Sequence, residues 1–559
     1  MKYDVVVVGS GAGGSAVAYS LCKAGYKVAV VEKGSLIRRE EFSKDELAYV
    51  RRDIVTSNPF DEFHTIEERL NDEWVSRPTY ETGWSFWNGN IVGGSSNFMS
   101  GMFHRMHPDD FRLKSKYGKI KGANIEDWAI TYDELEPYYT LVEDIIGITG
   151  VEKRHEFSPP RSRSYFAQPP TKENDVVKLF DKSCHALGLL SLVTARAILS
   201  SDREHRKGCY YSNFCGSYGC SSGAKGSAME ALLKPALSTG NLTLMSQTYV
   251  KKLHCNRKDT VASVSVVNTI TKQEQHLFAK VFVIAAQAHE SARLLLNSSN
   301  SDYPNGLANS SGELGKNLIF SGGGYGYGEL HKNRLKQVSF KDVMQKGFFV
   351  NRSILDWYFI DHWWEGKFKG GLVEFMFEHQ NIISRAVRNS RQGEKLIWGK
   401  ALGEHLVTQF KESKKIRFEI FNDWLPNDNC FVALDETHVD TYGMPVGKLR
   451  IEAHPQDVKV GRFIAKKCEN VLNEMGAINI SSTINTLPPS NLIAGGCRFG
   501  NNPKTSVLNK YCQTHDISNL FVTDASFMPT GGSTPYSWTI YANALRVGEY
   551  IVEQLDKNK

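Results

Sequence analysis

MKYDVVVVGSGAGGSAVAYSLCKAGYKVAVVE, residues 1–32, is the stretch whose reading decides the fold. Asp4–Val8 is a β-branched run of the kind that forms a buried strand. It runs directly into Gly9-Ser10-Gly11-Ala12-Gly13-Gly14, a G-x-G-x-x-G turn. Ser15–Ala24 then shows helical spacing, and a second strand, Lys27–Val31, ends on Glu32. The first glycine allows the tight turn, the second lets the backbone approach a pyrophosphate, and the third lets helix pack on strand. The helix N-terminus offers free N–H groups to the phosphates. Gly9, Gly11, Ala12, Gly13 and Gly14 are therefore expected at a dinucleotide's diphosphate. Glu32, eighteen residues after Gly14, is placed to accept hydrogen bonds from a ribose, which favours FAD or NAD over NADP. The plainer alternative is a glycine-rich turn without a ligand.

At 559 residues the chain exceeds one ordinary core, so two domains or one interleaved pair is expected. A hydrophobic share of 41% and a charged share of 23% are those of a globular chain that is neither disordered nor fibrous. The net charge of +6 comes without a long basic block, so nucleic acid is not an expected partner. The N-terminal valine run is too short for a signal peptide, and no stretch approaches the ~18 apolar residues of a membrane span. Ten cysteines in so long a chain do not make a disulfide scaffold, and a reduced, cytoplasmic setting is the expectation.

Working outward, residues 35–80 are charged and irregular and read as helices and loops covering the nucleotide. The run from Trp84 to Asn97 carries Gly93-Gly94-Ser95-Ser96 among aromatics. It suits a backbone lying flat against a planar ligand, or else an ordinary loop. Thr131 followed by Glu134 is a capping box opening a helix. Residues 150–208 read as a long connection. Asn241–Cys255 and Thr260–Val267 alternate as strands, and Val281–Ala286 is a buried strand followed by the helix Ser291–Leu296. This late return of a Rossmann-like strand makes residues 35–245 insertions into the nucleotide domain. Residues 320–485 read as an antiparallel sheet with helices walling a substrate cavity, with strands at Gly371–Phe377 and Lys415–Phe421. Their tryptophans, Trp357, Trp363 and Trp364, serve core packing or substrate contact. After Asn491 come glycine turns, the strand Leu520–Asp524 and a closing helix through Leu555.

These motifs resemble the glucose–methanol–choline (GMC) oxidoreductases, FAD enzymes that oxidise alcohols. The resemblance rests on GSGAGG, on Gly93-Gly94-Ser95-Ser96, on AAQAHESARLLL (285–296) and on LFVTDASFMPTGG (520–532). WAITYDELEPYY (128–139) and GCRFGNNPKTSVLN (496–509) carry a closer similarity to the flavoprotein subunits of fructose, glucose and gluconate dehydrogenases. The resemblance implies an α+β fold, with a Rossmann-like FAD-binding domain (1–319 and 486–559) interleaved with a substrate domain (320–485). It also implies hydride transfer from a sugar-like or alcohol substrate to flavin N5. By position Val250 would touch adenine, Gly93, Gly94, Ser95, Asn97 and Met99 would pass the isoalloxazine, and Asp524 with Ala525 would approach pyrophosphate and ring. Pro535 and Tyr536 would border the ring as well. The loop reads Ser96-Asn97-Phe98-Met99, with no histidine for covalent attachment, so non-covalent FAD is expected.

The departures concern the catalytic groups. The family's proton-abstracting histidine precedes a GTCRMG-like turn by three residues, and Gly495-Gly496-Cys497-Arg498-Phe499-Gly500 puts Leu492 there. The second active-site position, usually His or Asn, aligns with Pro535. Neither side chain accepts a proton or orients a hydroxyl. Three readings stay open. Asn491, Tyr536 and Ser537 flank the vacant positions and could serve a rearranged site. The reaction could instead be a desaturation or amine oxidation, or the chain could bind FAD without turnover. An external electron acceptor or partner subunit fits the resemblance. Cys209, Cys215 and Cys220 lie where some relatives hold an iron–sulfur cluster, but their spacing lacks a C-x-x-C, so free thiols or a disulfide are equally open and no metal is assigned. His289 and His515 align with no family base and read as structural.

Overall fold

The computed structural model describes residues 2–47, 58–84, 86, 88–335, 338–362, 366–489 and 491–557. Lys2–Val8 is the central strand of the first sheet. It pairs in parallel with Val28–Val31 on one side and with Glu274–Ile284 on the other. Leu242–Met245 lies parallel beyond Val28–Val31, and Leu520–Val522 lies parallel to the end of Glu274–Ile284. Val5, Val6, Val7, Val28, Val30 and Val283 are fully buried, because helices cover both faces; this is why the strands read as unbroken apolar runs. Thr248–Arg257 and Thr260–Asn268 extend the sheet as an antiparallel meander. The helix Ala12–Lys23 leaves the glycine turn and packs on the closing helix Ser537–Lys557, where a Cβ on Gly548 would sit 2.8 Å from Ser20 Cβ. The chain leaves this sheet after Val31 and rejoins it at Leu242.

One expectation for 35–80 is corrected. Thr65–Leu70 and Glu73–Pro78 form a β-hairpin, not helices and loops, and Thr65–Leu70 also pairs in parallel with Pro445–Arg450. Asn71 and Asp72 both have positive φ, 50° and 66°. Two consecutive left-handed residues make the two-residue turn whose twist matches paired strands, and Asn and Asp tolerate it. Part of this stretch, 48–57, lies outside the described residues.

The second sheet is antiparallel, as expected. Gly324–His331, Ser413–Asn422, Gly371–Phe377 and Arg352–Ile354 lie side by side, with Ile478–Ile484 at one edge. The other edge is Ser191–Val193, from the stretch read as a connection, which also contributes the helix Val176–Ala186. One face is covered by the helix Pro455–Glu474, whose Val460, Ile464, Cys468, Val471 and Leu472 pack into a core with Ile416, Phe418 and Ile420. Side chains alternate along a strand, so Arg417, Glu419 and Phe421 face the other way. Trp357 belongs to this core; Trp363 and Trp364 lie outside the described residues. The capping box is present, with Glu134 N–H donating to Thr131 Oγ1 at 3.2 Å and Thr131 N–H donating to Glu134 Oε2 at 2.8 Å.

Candidate active site

A cavity of about 670 Å³ runs from the glycine turn to the polar face of the second sheet. The turn divides its glycines as the motif predicts. Gly9 has φ +94°, and a Cβ there would lie 2.2 Å from Ala285 O. One on Gly13 would lie 2.3 Å from Thr523 O, and one on Gly14 would lie 2.0 Å from Gly9 O. Gly11 alone of the four faces open space, so its backbone is bare to the cavity. Gly9, Gly11, Ala12 and Gly13 line the cavity, while Gly14 lies behind them, closing helix on strand. Glu32 also lines it. Its carboxylate accepts hydrogen bonds from Ser10 N–H (3.1 Å), Ser10 Oγ (2.5 Å) and Gly34 N–H (2.8 Å). A carboxylate has about four acceptor positions, which leaves capacity for a ligand hydroxyl.

The 93–99 loop presses on this turn: a Cβ on Gly94 would lie 3.2 Å from Gly11 Cα. Gly94, Ser95 and Met99 line the cavity. Gly93 and Asn97 stand behind and hold the loop, Gly93 N–H donating to Ser10 Oγ at 2.8 Å and Asn97 Nδ2 donating to Val92 O at 2.9 Å. Ser85 and Trp87 of the same run lie outside the described residues. Asp524 and Ala525 line the opposite wall. Asp524 is buried and accepts from Gln287 N–H (3.1 Å), Ser526 N–H (2.9 Å) and the Ser291 and Ser526 hydroxyls, tying the start of the helix Ala288–Asn297 to the strand Leu520–Val522.

Val250 lines the far end beside His64, Phe86, His289 and Glu290. His289 stacks on Phe86 with ring centroids 3.5 Å apart, and burial holds its imidazole well below the usual histidine range. Neither of its ring nitrogens has a hydrogen-bond partner among the described residues, Nε2 lying 3.7 Å from Glu290 Oε1. His64, His289 and Glu290 place one ligand atom each within 4.8 Å of one another. Proton accounting argues against a metal there. Gly447 N–H donates to His64 Nδ1 at 3.1 Å, so the neutral ring carries its proton on Nε2, which donates it to Glu290 Oε1 2.9 Å away. Glu290 Oε2 is taken by Arg293 at 3.0 Å.

Asn491, Leu492, Pro535, Tyr536 and Ser537 also line the cavity. Leu492 has φ +59°, a left-handed conformation that is unusual for a bulky residue, and packs against the cluster containing Leu372 and Phe421. Tyr536 is buried. Desolvation, reinforced by Asp423, holds its phenol well above the ordinary value. It keeps its proton, so it can donate a hydrogen bond and cannot act as a base. Ser537 opens the helix Ser537–Lys557, whose first turn presents its free N–H groups and positive dipole end on the cavity wall.

The cavity is also lined by groups that the sequence reading missed: His379, Arg417, Glu419 and Phe421. Among the described residues Arg417 and Glu419 form no ion pair, and Arg417 Nε is buried without a partner. The signal was present as the alternation Ile416-Arg417-Phe418-Glu419-Ile420, whose polar side reads as a solvated face when the strand's neighbours are unknown.

Behind the loop that carries Pro535 lies a buried ionic cluster. Asp423 accepts from Ser533 N–H at 3.3 Å, and Lys369 Nζ lies 3.3 Å from Asp110 Oδ1. Tyr358 Oη lies 2.5 Å from Asp110 Oδ2 and 2.6 Å from Gly532 O. Burial pushes the Asp423 carboxyl up to about 6, with Lys369 pulling it down and Asp110 raising it again. In the unfolded chain it titrates near ~4, so folding takes up a proton between these values. The stability gained is complete below pH ~4 and is lost as the pH rises through about 6. The difference between Asp423→Asn and the parent in urea-unfolding free energy is expected to change across that window by on the order of 3 kcal/mol. Parallel pH dependences in the two proteins would show that Asp423 does not titrate there.

Cys209, Cys215 and Cys220 are free thiols that pack against one cluster with Phe349 and Ile198, and as a group their sulfurs do not lie within 4.8 Å of one another.

Comparison with known proteins follows this geometry. Residues 3–320 and residues 426–544 match two family models, each described as GMC oxidoreductase. The chain is similar to the 2-methyl-1,2-propanediol dehydrogenase of Mycolicibacterium austroafricanum, at 27% identity over 98% of this chain and 95% of that protein. It is similar to the fructose dehydrogenase large subunit of Gluconobacter japonicus, at 26% identity over 99% of this chain and 98% of that one. Its fold is like that of the pyridoxine 4-oxidase from Mesorbium loti, with a TM-score of 0.60 at 16% identity, covering 98% of this chain and 99% of that one.

Proposed function

The chain belongs to the GMC oxidoreductase family, FAD-dependent enzymes that act on CH–OH groups, and from that premise we propose that it oxidises a small polyhydroxylated alcohol, with Glu419 taking the hydroxyl proton. The residues present fit the cofactor. Gly11 leaves bare backbone where a diphosphate must approach, Glu32 keeps acceptor capacity for a ribose, and His289 and Asn88 leave buried polar atoms on the cavity wall without hydrogen-bond partners. A purine edge, with both donors and acceptors, meets that last need. When bound, FAD supplies the acceptor for the hydride leaving the carbinol carbon.

The observation that carries the proposal is that Arg417 and Glu419, two residues apart on one strand face lining the cavity, form no ion pair among the described residues, the Arg417 guanidinium lying over the Tyr325 ring at 5.1 Å. Leu492 packs against the cluster containing Phe421, and Glu419 is two residues along the same strand face, about 7 Å away by strand rise. Glu419 can accept the hydroxyl proton, and Arg417 can bind a neighbouring substrate oxygen. Tyr536 can donate to the reacting oxygen while the helix beginning at Ser537 offsets negative charge. The two relatives named act on propanediol and fructose, compounds with oxygens on adjacent carbons, and the Arg417–Glu419 spacing favours such a substrate here.

Anaerobic mixing of the purified yellow protein with a panel of donors tests this. Vicinal diols and sugars are expected to bleach the flavin at least ~10-fold faster than matched mono-alcohols, a difference of about one well-made polar contact. Bleaching by amines or saturated carbonyl compounds alone would replace the proposal with a changed reaction. No bleaching by any donor would make the chain a non-catalytic flavoprotein.

A further inference from the structure

Between the two strands that border the cavity, Gly371–Phe377 and Ser413–Asn422, the chain makes an excursion over 381–412 in which no side chain is buried. It holds the helices Ile382–Arg388 and Gly399–Val407 and a small hairpin pairing Arg391 with Leu396. Short helices are marginal in water unless one face is packed, and neither of these fully buries a residue, their inner faces (Ser384, Arg385 and Ala386; Leu402, His405 and Leu406) being only half-buried. Ile382, Ile383, Val387, Leu396 and Val407 are all exposed, Val387 by 66%, and Trp398 is 78% exposed. Interleaved with them are the exposed Arg388, Arg391, Lys395, Lys400 and Lys411, against the exposed acids Glu394 and Glu404.

We propose that this excursion docks the protein on the surface of an anionic lipid bilayer, with Trp398 and the aliphatic side chains entering the headgroup layer. Apolar and Trp side chains set among basic residues are the pattern that binds such an interface, through buried apolar area and attraction to anionic headgroups. Charge selects this occupant over a second copy of the chain, because residues 381–412 carry six Lys and Arg against three Glu, with Arg385 and Arg388 paired to Glu378 at the root, so two copies would face like charge with like. Docking here is peripheral, since no described helix is long and apolar enough to cross a membrane. The excursion is fixed to the body at its start, where Glu46 accepts from Ile383 N–H at 2.9 Å and Ser384 N–H at 3.0 Å. Both of its roots lie on the cavity wall, His379 just before it and Arg417 just after.

The test is co-sedimentation of the full-length FAD-loaded protein with vesicles of phosphatidylcholine, with and without a fraction of phosphatidylglycerol. The expected result is binding to the anionic vesicles, at least ~10-fold weaker on phosphatidylcholine alone and reversed by high salt, which screens exposed charge. The double variant Val387→Ser/Trp398→Ser is expected to bind the anionic vesicles at least ~10-fold more weakly, from loss of buried apolar area, with donor-dependent bleaching in solution unchanged. Absence of vesicle binding by the parent at low salt overturns the proposal. Equal binding by parent and double variant overturns it too, as does a Trp398-dependent dimer by light scattering in place of vesicle binding.

Discussion

Glu419→Gln is expected to slow anaerobic reduction of the enzyme by its alcohol donor by about 10²–10⁴-fold, the usual contribution of a positioned proton acceptor. Glutamine keeps the size of the side chain and its capacity to hydrogen-bond, so the cavity is neither emptied nor blocked. It cannot accept a proton. The loss should therefore fall on kcat rather than on KM. A residue that merely positions the substrate gives a different pattern, a raised KM with kcat retained. Arg417→Ala supplies the contrast. It is expected to weaken binding of vicinal diols, raising KM, while kcat is retained. An unchanged kcat in Glu419→Gln would remove Glu419 from the chemistry and return the proton to solvent.

What was legible in the sequence was local. Gly9, Gly11 and Gly14 declare their roles because each is imposed by backbone a few residues away or by the adjoining strand, and the structure places open space only beside Gly11. Thr131 and Glu134 likewise form a contact three residues apart. The hairpin at Asn71–Asp72 was missed because its turn signal sits in a charged run that resembles a solvated helix, and its strands gain a partner only from Pro445–Arg450, far along the chain. The same distance effect hid the substrate wall. Arg417 and Glu419 face the cavity because the helix Pro455–Glu474 covers the opposite face of their strand, and nothing within Ser413–Asn422 says which face is covered. Tyr536 shows the converse. Its place beside the vacant positions was readable from alignment, but its burial, which withholds it from proton abstraction, depends on packing around Gly531 and Asp423.

Leu492→His in the Glu419→Gln background is expected to recover about 10²-fold of the lost reduction rate, and to introduce a pH dependence in the histidine range near ~6.5. The backbone favours the exchange. Leu492 has φ +59°, a conformation costing an ordinary L-residue roughly 1–2 kcal/mol, and histidine is among the side chains enriched there. The position is half-buried, lines the cavity beside Asn491 and packs against the cluster containing Phe421, so an imidazole there stays in contact with the cavity and can reach a bound hydroxyl. Leu492→His alone should gain less, because the parent already has a base in Glu419 and two acceptors compete for one proton. Rescue therefore has to be larger in the double variant than in the single one, and this asymmetry is the decisive readout. If the double variant binds FAD and unfolds like its parent yet stays as slow as Glu419→Gln, the carbinol does not lie between these two positions, and the proton must leave toward His379 instead.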